Sequence, residues 1–155
     1  MPDAQAGHEK TITALLPALA GANLIYGLGM LELGMTFSFA QLLMDAEMAK
    51  MVKRAVAGID VNDEMLAVEV IKTVGAGKDF LAQKHTRQYM AKEQSKPRNI
   101  DRRMRGAWQN RGGKDWAQRA EEEARTILQK HKPTPLPATV QNKLRDIVLT
   151  AENQD

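Results

Sequence analysis

The sequence predicts an α/β protein, mostly α-helical in the part present, with one or two strands. Three observations predict it. The apolar run Ala22 to Tyr26 is long enough for one buried strand and is bounded by Gly21 and Gly27. On both sides of it, apolar residues recur at helical spacing. One or two strands among roughly six helices cannot make a sheet alone, so the pattern reads as a piece of a larger α/β domain.

The elements follow in order. Met1 to Gly7 shows no capping logic. The first helix carries Ile12, Leu15, Leu16, Leu19 and Ala20 on one face and ends at Gly21. Pro17 lies inside it, where a bend is expected. After the strand, glycines at 27, 29 and 34 make a turn whose backbone a ligand can approach. Ser38-Phe-Ala-Gln41 is a capping box, with Phe37 and Leu42 placed as its hydrophobic staple. The helix it opens puts Met44, Met48, Met51, Val52, Ala55 and Val56 on one face. Asp45, Lys50, Lys53 and Arg54 fall elsewhere, and Gly58 stops it.

Asn62, Asp63 and Glu64 form an acidic start for a helix running to about Val74. Its inward stripe is Ala67, Val70, Ile71 and Val74. Gly75-Ala-Gly77 breaks it. This G-x-G follows a helix rather than a strand, so a dinucleotide fingerprint is excluded on context. Helix resumes from Asp79 through Met90. From Lys92 to Lys114 eight basic residues face two acidic ones, a net +6. There Ile100, Met104 and Trp108 lie four apart and dock a short helix. Asp115 to His131 is helical, with Trp116, Ala120, Ala124, Ile127 and Leu128 inward. Pro133-Thr-Pro-Leu-Pro137 is a stiff linker. A last amphipathic helix uses Val140, Leu144, Ile147, Val148 and Ala151.

Composition narrows the chemistry. The 155 residues include no cysteine, which excludes disulfides, thiolate ligands and a thiol nucleophile. The net charge of +3 permits an acidic partner without requiring one. The basic run holds only Trp108 as a stacking residue, a poor endowment for nucleic acid. No apolar run spans a bilayer, so a soluble cytoplasmic protein is expected. No two histidines have metal-ligand spacing, so no metal site is assigned. His85 and His131 sit on helices as structural or solvated residues.

In α/β folds, ligands sit where strands give way to loops at their carboxyl ends. That directs attention to Tyr26 through Glu32. Tyr26 offers a ring to a cation, and Glu32 offers a charge to balance one. The plainer alternatives are a core tyrosine and a solvated loop carboxylate.

Several motifs carry a resemblance. Pro2-Asp-Ala-Gln-Ala-Gly-His-Glu-Lys10 is followed by Ala18-Leu-Ala-Gly-Ala-Asn-Leu-Ile-Tyr-Gly-Leu-Gly-Met-Leu-Glu32. Gly58-Ile-Asp-Val-Asn-Asp-Glu64, Phe80-Leu-Ala-Gln-Lys-His-Thr86, Ile100-Asp-Arg-Arg103 and Gly112-Gly-Lys-Asp115 come later. Together these resemble the trimethylamine methyltransferase family over essentially the whole chain. The resemblance implies a (β/α)8 TIM barrel in a protein roughly three times this length. This chain matches its C-terminal third: residues 1–60 as the last βα elements and 61–155 as a helical segment completing and covering the barrel.

The resemblance also implies an activity. A methyl group moves from a methylated amine, trimethylamine or a quaternary amine such as glycine betaine, to the cobalt of a separate corrinoid protein. The partners implied are that corrinoid protein and the amine, with an oligomer when full length and with neither membrane nor nucleic acid. No cofactor is expected on this chain alone, and the chain alone is expected to be inactive. Met1 stands about where pyrrolysine-containing members carry that residue, so a gene divided at an amber codon is one expectation. His8 and Glu32 are the catalytic candidates; Tyr26, Glu9 and Met30 are the substrate-binding ones. For His8 and Glu9 the alternative is a surface pair at a helix start, with Glu9 complementing the macrodipole. Two other functions compete: a helical interaction module with a basic surface, and an inactive gene remnant.

Overall fold

The computed structural model describes residues 2–153. Eight α-helices, one short 3-10 turn at Glu32–Gly34 and one two-stranded sheet are present among them: α1 Ala4–Leu19, β1 Met30–Leu31, β2 Thr36–Phe37, α2 Phe39–Val56, α3 Asp63–Leu66, α4 Val68–Val74, α5 Lys84–Glu93, α6 Arg105–Gln109, α7 Trp116–Lys130 and α8 Ala138–Glu152. The chain divides into two units, residues 1–125 and 126–155.

In the first unit, α2 is the pivot. Its start follows from sequence, since the Ser38 hydroxyl accepts from the Gln41 amide at 3.2 Å. The reciprocal half of the expected capping box is absent, because the Ser38 amide donates instead to the Gly29 carbonyl at 2.8 Å. Met44 and Val52 are buried on α2, and Ala120 and Ala124 on α7. The first helix also has a cap that the sequence reading did not find: the Asp3 carboxylate accepts from the Ala6 amide at 3.0 Å.

The strand expected over 22–26 does not form. Asn23–Tyr26 has no regular structure, and Leu24 and Tyr26 are 79% and 81% exposed. The reason is physical: a strand needs a neighbour, and no described segment pairs with this one. The sheet forms instead around the loop Glu32–Met35. Strands β1 and β2 pair antiparallel, Met30 with Phe37 and Leu31 with Thr36. Glu32 and Leu33 both have positive φ, at 51° and 52°. Such conformations cost about 1–3 kcal/mol for non-glycine residues. A 2.6 Å hydrogen bond from the Thr36 hydroxyl to the Glu32 carboxylate closes that loop.

Four more expectations are corrected. The helix from Asn62 is broken at Ala67, which takes a left-handed conformation at φ 52°. Asn62 does cap it, accepting from the Met65 amide at 2.9 Å. Helix α5 starts at Lys84 rather than Asp79, because Asp79 closes a turn by accepting from the Leu81 amide at 3.0 Å. The helix near Trp108 starts only at Arg105. The apolar stripe of α1 is not buried: Ile12, Leu16 and Leu19 are exposed.

In the second unit, α7 ends at Lys130 and residues 131–137 run without regular structure to α8. The Gln141 side chain donates to the Leu136 carbonyl at 2.7 Å and fastens the start of α8. The stripe Val140, Leu144, Ile147 and Val148 is present as expected, and it is exposed. No helix of the described residues is long and apolar enough to cross a membrane.

Candidate functional site

The glycine turn is held by one carboxylate. Asp45, only 6% exposed, accepts from Lys10 Nζ and from the Gly29 amide, each at 2.8 Å, and from Gln41 Nε2 at 2.6 Å. Lys10 Nζ also donates to the Gly27 carbonyl at 3.3 Å. Thus α1, the turn and α2 meet at a single side chain. Hydrogen bonds to a charged group contribute about 1.5–3 kcal/mol each. Gly29 has φ 81°, and a Cβ there would come within 2.7 Å of the Phe37 ring and 3.1 Å of Leu42. Its missing side chain therefore makes room for Phe37 and Leu42, the staple residues, and not for a ligand.

Between α1, α2 and the chain at 22–28 lies an open cleft of about 860 Å³. Lys10 and Asp45 line it together with the apolar Pro17, Ala18, Val52 and Val56. Of the five predicted site residues, only Tyr26 lines this cleft. Tyr26 is exposed in this chain. His8 and Glu9 are exposed on the early turns of α1, where Glu9 accepts from Gln5 Nε2 at 2.9 Å. Met30 sits in β1 with its side chain against Gly34 and Gly27. Glu32 is exposed on the strained loop, bonded to Thr36.

Sequence reasoning missed the two buried carboxylates of α2. Asp45 was placed off the buried face. Glu47, also 6% exposed, received no role. Its Oε1 accepts from the Arg98 amide and, at 2.6 Å, from the Asn99 amide; its Oε2 accepts from the Ile100 amide at 3.2 Å. A signal for it exists. Glu47 stands at helical spacing among Met44, Met48 and Met51, a carboxylate inside an apolar stripe. Such a position demands a dedicated set of donors.

The basic run is tied down in part by its neighbours. Arg98 pairs with Glu123 at 2.8 Å, Arg103 with Asp101 at 3.0 Å, and Lys114 with Glu122 at 2.5 Å. Arg119 donates to the Asn99 carbonyl at 2.7 Å, and Asn99 Nδ2 donates to Glu123 at the same distance. These contacts join residues 98–114 to α7. His85 is structural: its Nε2 lies 2.8 Å from the Glu64 carbonyl, with its ring 4.5 Å from that of Tyr89. A hydrogen bond with the Glu64 carboxylate holds the Tyr89 phenol above its ordinary value.

A model of the trimethylamine methyltransferase (MTTB) family matches residues 1–154. Trimethylamine methyltransferase MttB of Desulfitobacterium hafniense is 54% identical over 154 residues, which is 99% of this chain and 31% of that protein. Trimethylamine methyltransferase MttB2 of Methanosarcina mazei is 53% identical over 152 residues, 98% of this chain and 30% of that protein. A glycine betaine methyltransferase of Desulfitobacterium hafniense is 32% identical over 147 residues, 94% of this chain and 30% of that protein. The chain thus spans about a third of the length of these curated relatives.

Proposed function

The chain belongs to the trimethylamine methyltransferase family, and on that premise we propose that it is the C-terminal third of a (β/α)8-barrel enzyme that moves a methyl group from a methylated amine to a corrinoid protein. The observation that carries the proposal is the match of nearly every residue, at 51–54% identity, to trimethylamine methyltransferases. The corrinoid comes with the partner protein and supplies the methyl-accepting cobalt when that partner is docked.

Its residues serve the amine. A quaternary ammonium has no N–H to recognise, so an aromatic face and a carboxylate are the attractors open to a protein. Tyr26 presents its ring to solvent and to the cleft, on a turn pinned by Asp45. Glu32 contributes negative charge from a loop whose strained backbone is fixed by Thr36. His8, exposed near the start of α1, donates a hydrogen bond, while Glu9 and Met30 complete the contact with the substrate. The chemistry asks for positioning and a cation-tolerant pocket more than for acid–base work.

The test uses a full-length protein in which this chain replaces the matching portion of the Desulfitobacterium hafniense relative. Methyl transfer from trimethylamine to its corrinoid protein is followed. Tyr26→Leu is expected to raise KM for the amine about 2- to 30-fold, the equivalent of a lost cation–π contact. The melting temperature is read on the same samples, so that a raised KM at unchanged stability is assigned to binding. An unchanged KM ends the case for Tyr26.

A further inference from the structure

Lys10 places a charge among apolar side chains. Its Nζ lies 2.8 Å from Asp45 Oδ2 and donates at 3.3 Å to the Gly27 carbonyl. The two side chains of the pair are 22% and 7% exposed. Ala14, Pro17, Met48 and Val52 line the same cleft. A charged pair in such surroundings adds little stability over apolar side chains, because desolvation offsets its attraction; what it contributes is a fixed geometry. Here the geometry is that of one turn. The Gly27 carbonyl held by Lys10 also accepts from the Met30 amide at 3.1 Å, and the Gly29 amide donates to the same Asp45 oxygen at 2.8 Å. Tyr26 directly precedes this turn. On its other side, the nearest backbone hydrogen bond among the described residues is at Ala22, whose amide donates to the Pro17 carbonyl at 3.0 Å. The place of Tyr26 is therefore set chiefly from residues 27–29, and theirs by Lys10 and Asp45.

We propose that Lys10 is a positioning residue for amine binding: by holding the Gly27 carbonyl and the Asp45 carboxylate together, it fixes the turn that aims the Tyr26 ring. The inference rests on the reading of Tyr26 given above and adds the side chain that sets its geometry. Lys10 does not itself touch the amine, since like charges repel. Pairing with Asp45 neutralises it, so it holds the turn without opposing a cation nearby. The ammonium also suits the task, for its three donors serve a carboxylate and a carbonyl from one nitrogen.

A double-mutant cycle in the full-length joined protein described above tests it. Trimethylamine binding is read by calorimetry with no corrinoid protein present, so turnover is not needed. Lys10→Met keeps an apolar stem and removes the ammonium. It is expected to raise Kd at least about 2-fold, and by no more than the ~30-fold that loss of the ring itself allows. In the Tyr26→Leu background the same change should move Kd by less than about 2-fold, since a positioning residue acts only through what it positions. A general structural defect would weaken binding equally in both backgrounds, and that result overturns the proposal, as does a Kd that Lys10→Met leaves unchanged. Should Lys10→Met lose its cooperative melt, Lys10→Arg is read in the same cycle by the same criteria; it keeps the counter-charge for Asp45 and replaces a single nitrogen with a planar fork. A joined parent that binds no trimethylamine, or binds it equally well with Tyr26→Leu, sinks the reading of Tyr26 and this proposal together. A parent that binds, responds to Tyr26→Leu and ignores the change at Lys10 sinks this proposal alone.

Discussion

The two faces of α2 are finished differently. On one, Glu47 receives three backbone amides from residues 98–100 and is closed over by contacts to α7. On the other, toward α1 and the chain at 22–28, one buried carboxylate holds a turn while the apolar surface beside it stays open. The contrast shows that local order in this chain is set by carboxylates with full donor sets. Apolar area is not what distinguishes the finished face from the unfinished one, for α1 and Leu24 carry ample apolar surface and bury little of it.

The largest expected effect tests the finished face. Glu47→Ala leaves three amides without their acceptor and deletes a buried side chain. Each orphaned buried donor costs about 1–3 kcal/mol, so a loss of about 3 kcal/mol or more is expected. Native domains hold only about 5–15 kcal/mol. Urea unfolding should show the fall in midpoint, and hydrogen exchange should show residues 98–100 released. A midpoint within experimental error of the parent would break the comparison at its stronger side.

Next comes the hinge between the two faces. Asp45→Asn keeps the shape and removes the charge. The carbonyl oxygen can keep Lys10 and the Gly29 amide, which share Oδ2. The new NH2 takes the place of Oδ1 and faces Gln41, whose side-chain amide must turn to accept from it. What is lost is the charge behind each bond. Lys10 keeps partial access to water, which screens the loss. A cost of about 1–3 kcal/mol is expected. Exchange should speed at Gly29 and leave the 98–100 loop as it was. Loss at both places would mean that the faces are not separate units of stability.

How much of this was written legibly in the sequence depends on the residue. Caps and heptad-like stripes were legible, because they are local: Ser38, Asn62, and the runs that became α2, α7 and α8 were all found. The strand at 22–26 was not a safe reading. Apolar composition states that a segment prefers burial, but pairing is a property of two segments. The helix after Asn62 broke because Ala67 carries no sign of its left-handed turn; periodicity alone continues through it. Asp45 and Glu47 were missed because a charge is assigned outward by default. Their donors come from positions up to 53 residues away, and nothing local announces such a partner. As for the candidate site, the glycine turn after Tyr26 was legible, and the Asp45 carboxylate that anchors it was not.

The smallest effect on stability is expected at the open face, and it sharpens the comparison most. Leu24 is 79% exposed and makes no backbone hydrogen bond that its side chain could protect. Leu24→Ser therefore removes little that the isolated chain uses, and its unfolding free energy should move by no more than about 0.5 kcal/mol. Association is another matter. Exposed apolar patches drive proteins together. The isolated chain should self-associate as its concentration rises, and Leu24→Ser should weaken that association while leaving the fold alone. Sedimentation velocity across a concentration series, with urea unfolding of the same samples, reads both quantities. The two faces predict opposite pairs of results: at Glu47, lost stability whatever the concentration; at Leu24, kept stability with altered association. A Leu24→Ser chain that unfolded as readily as Glu47→Ala would show that the cleft wall is part of the core after all, and the distinction between the faces would fall.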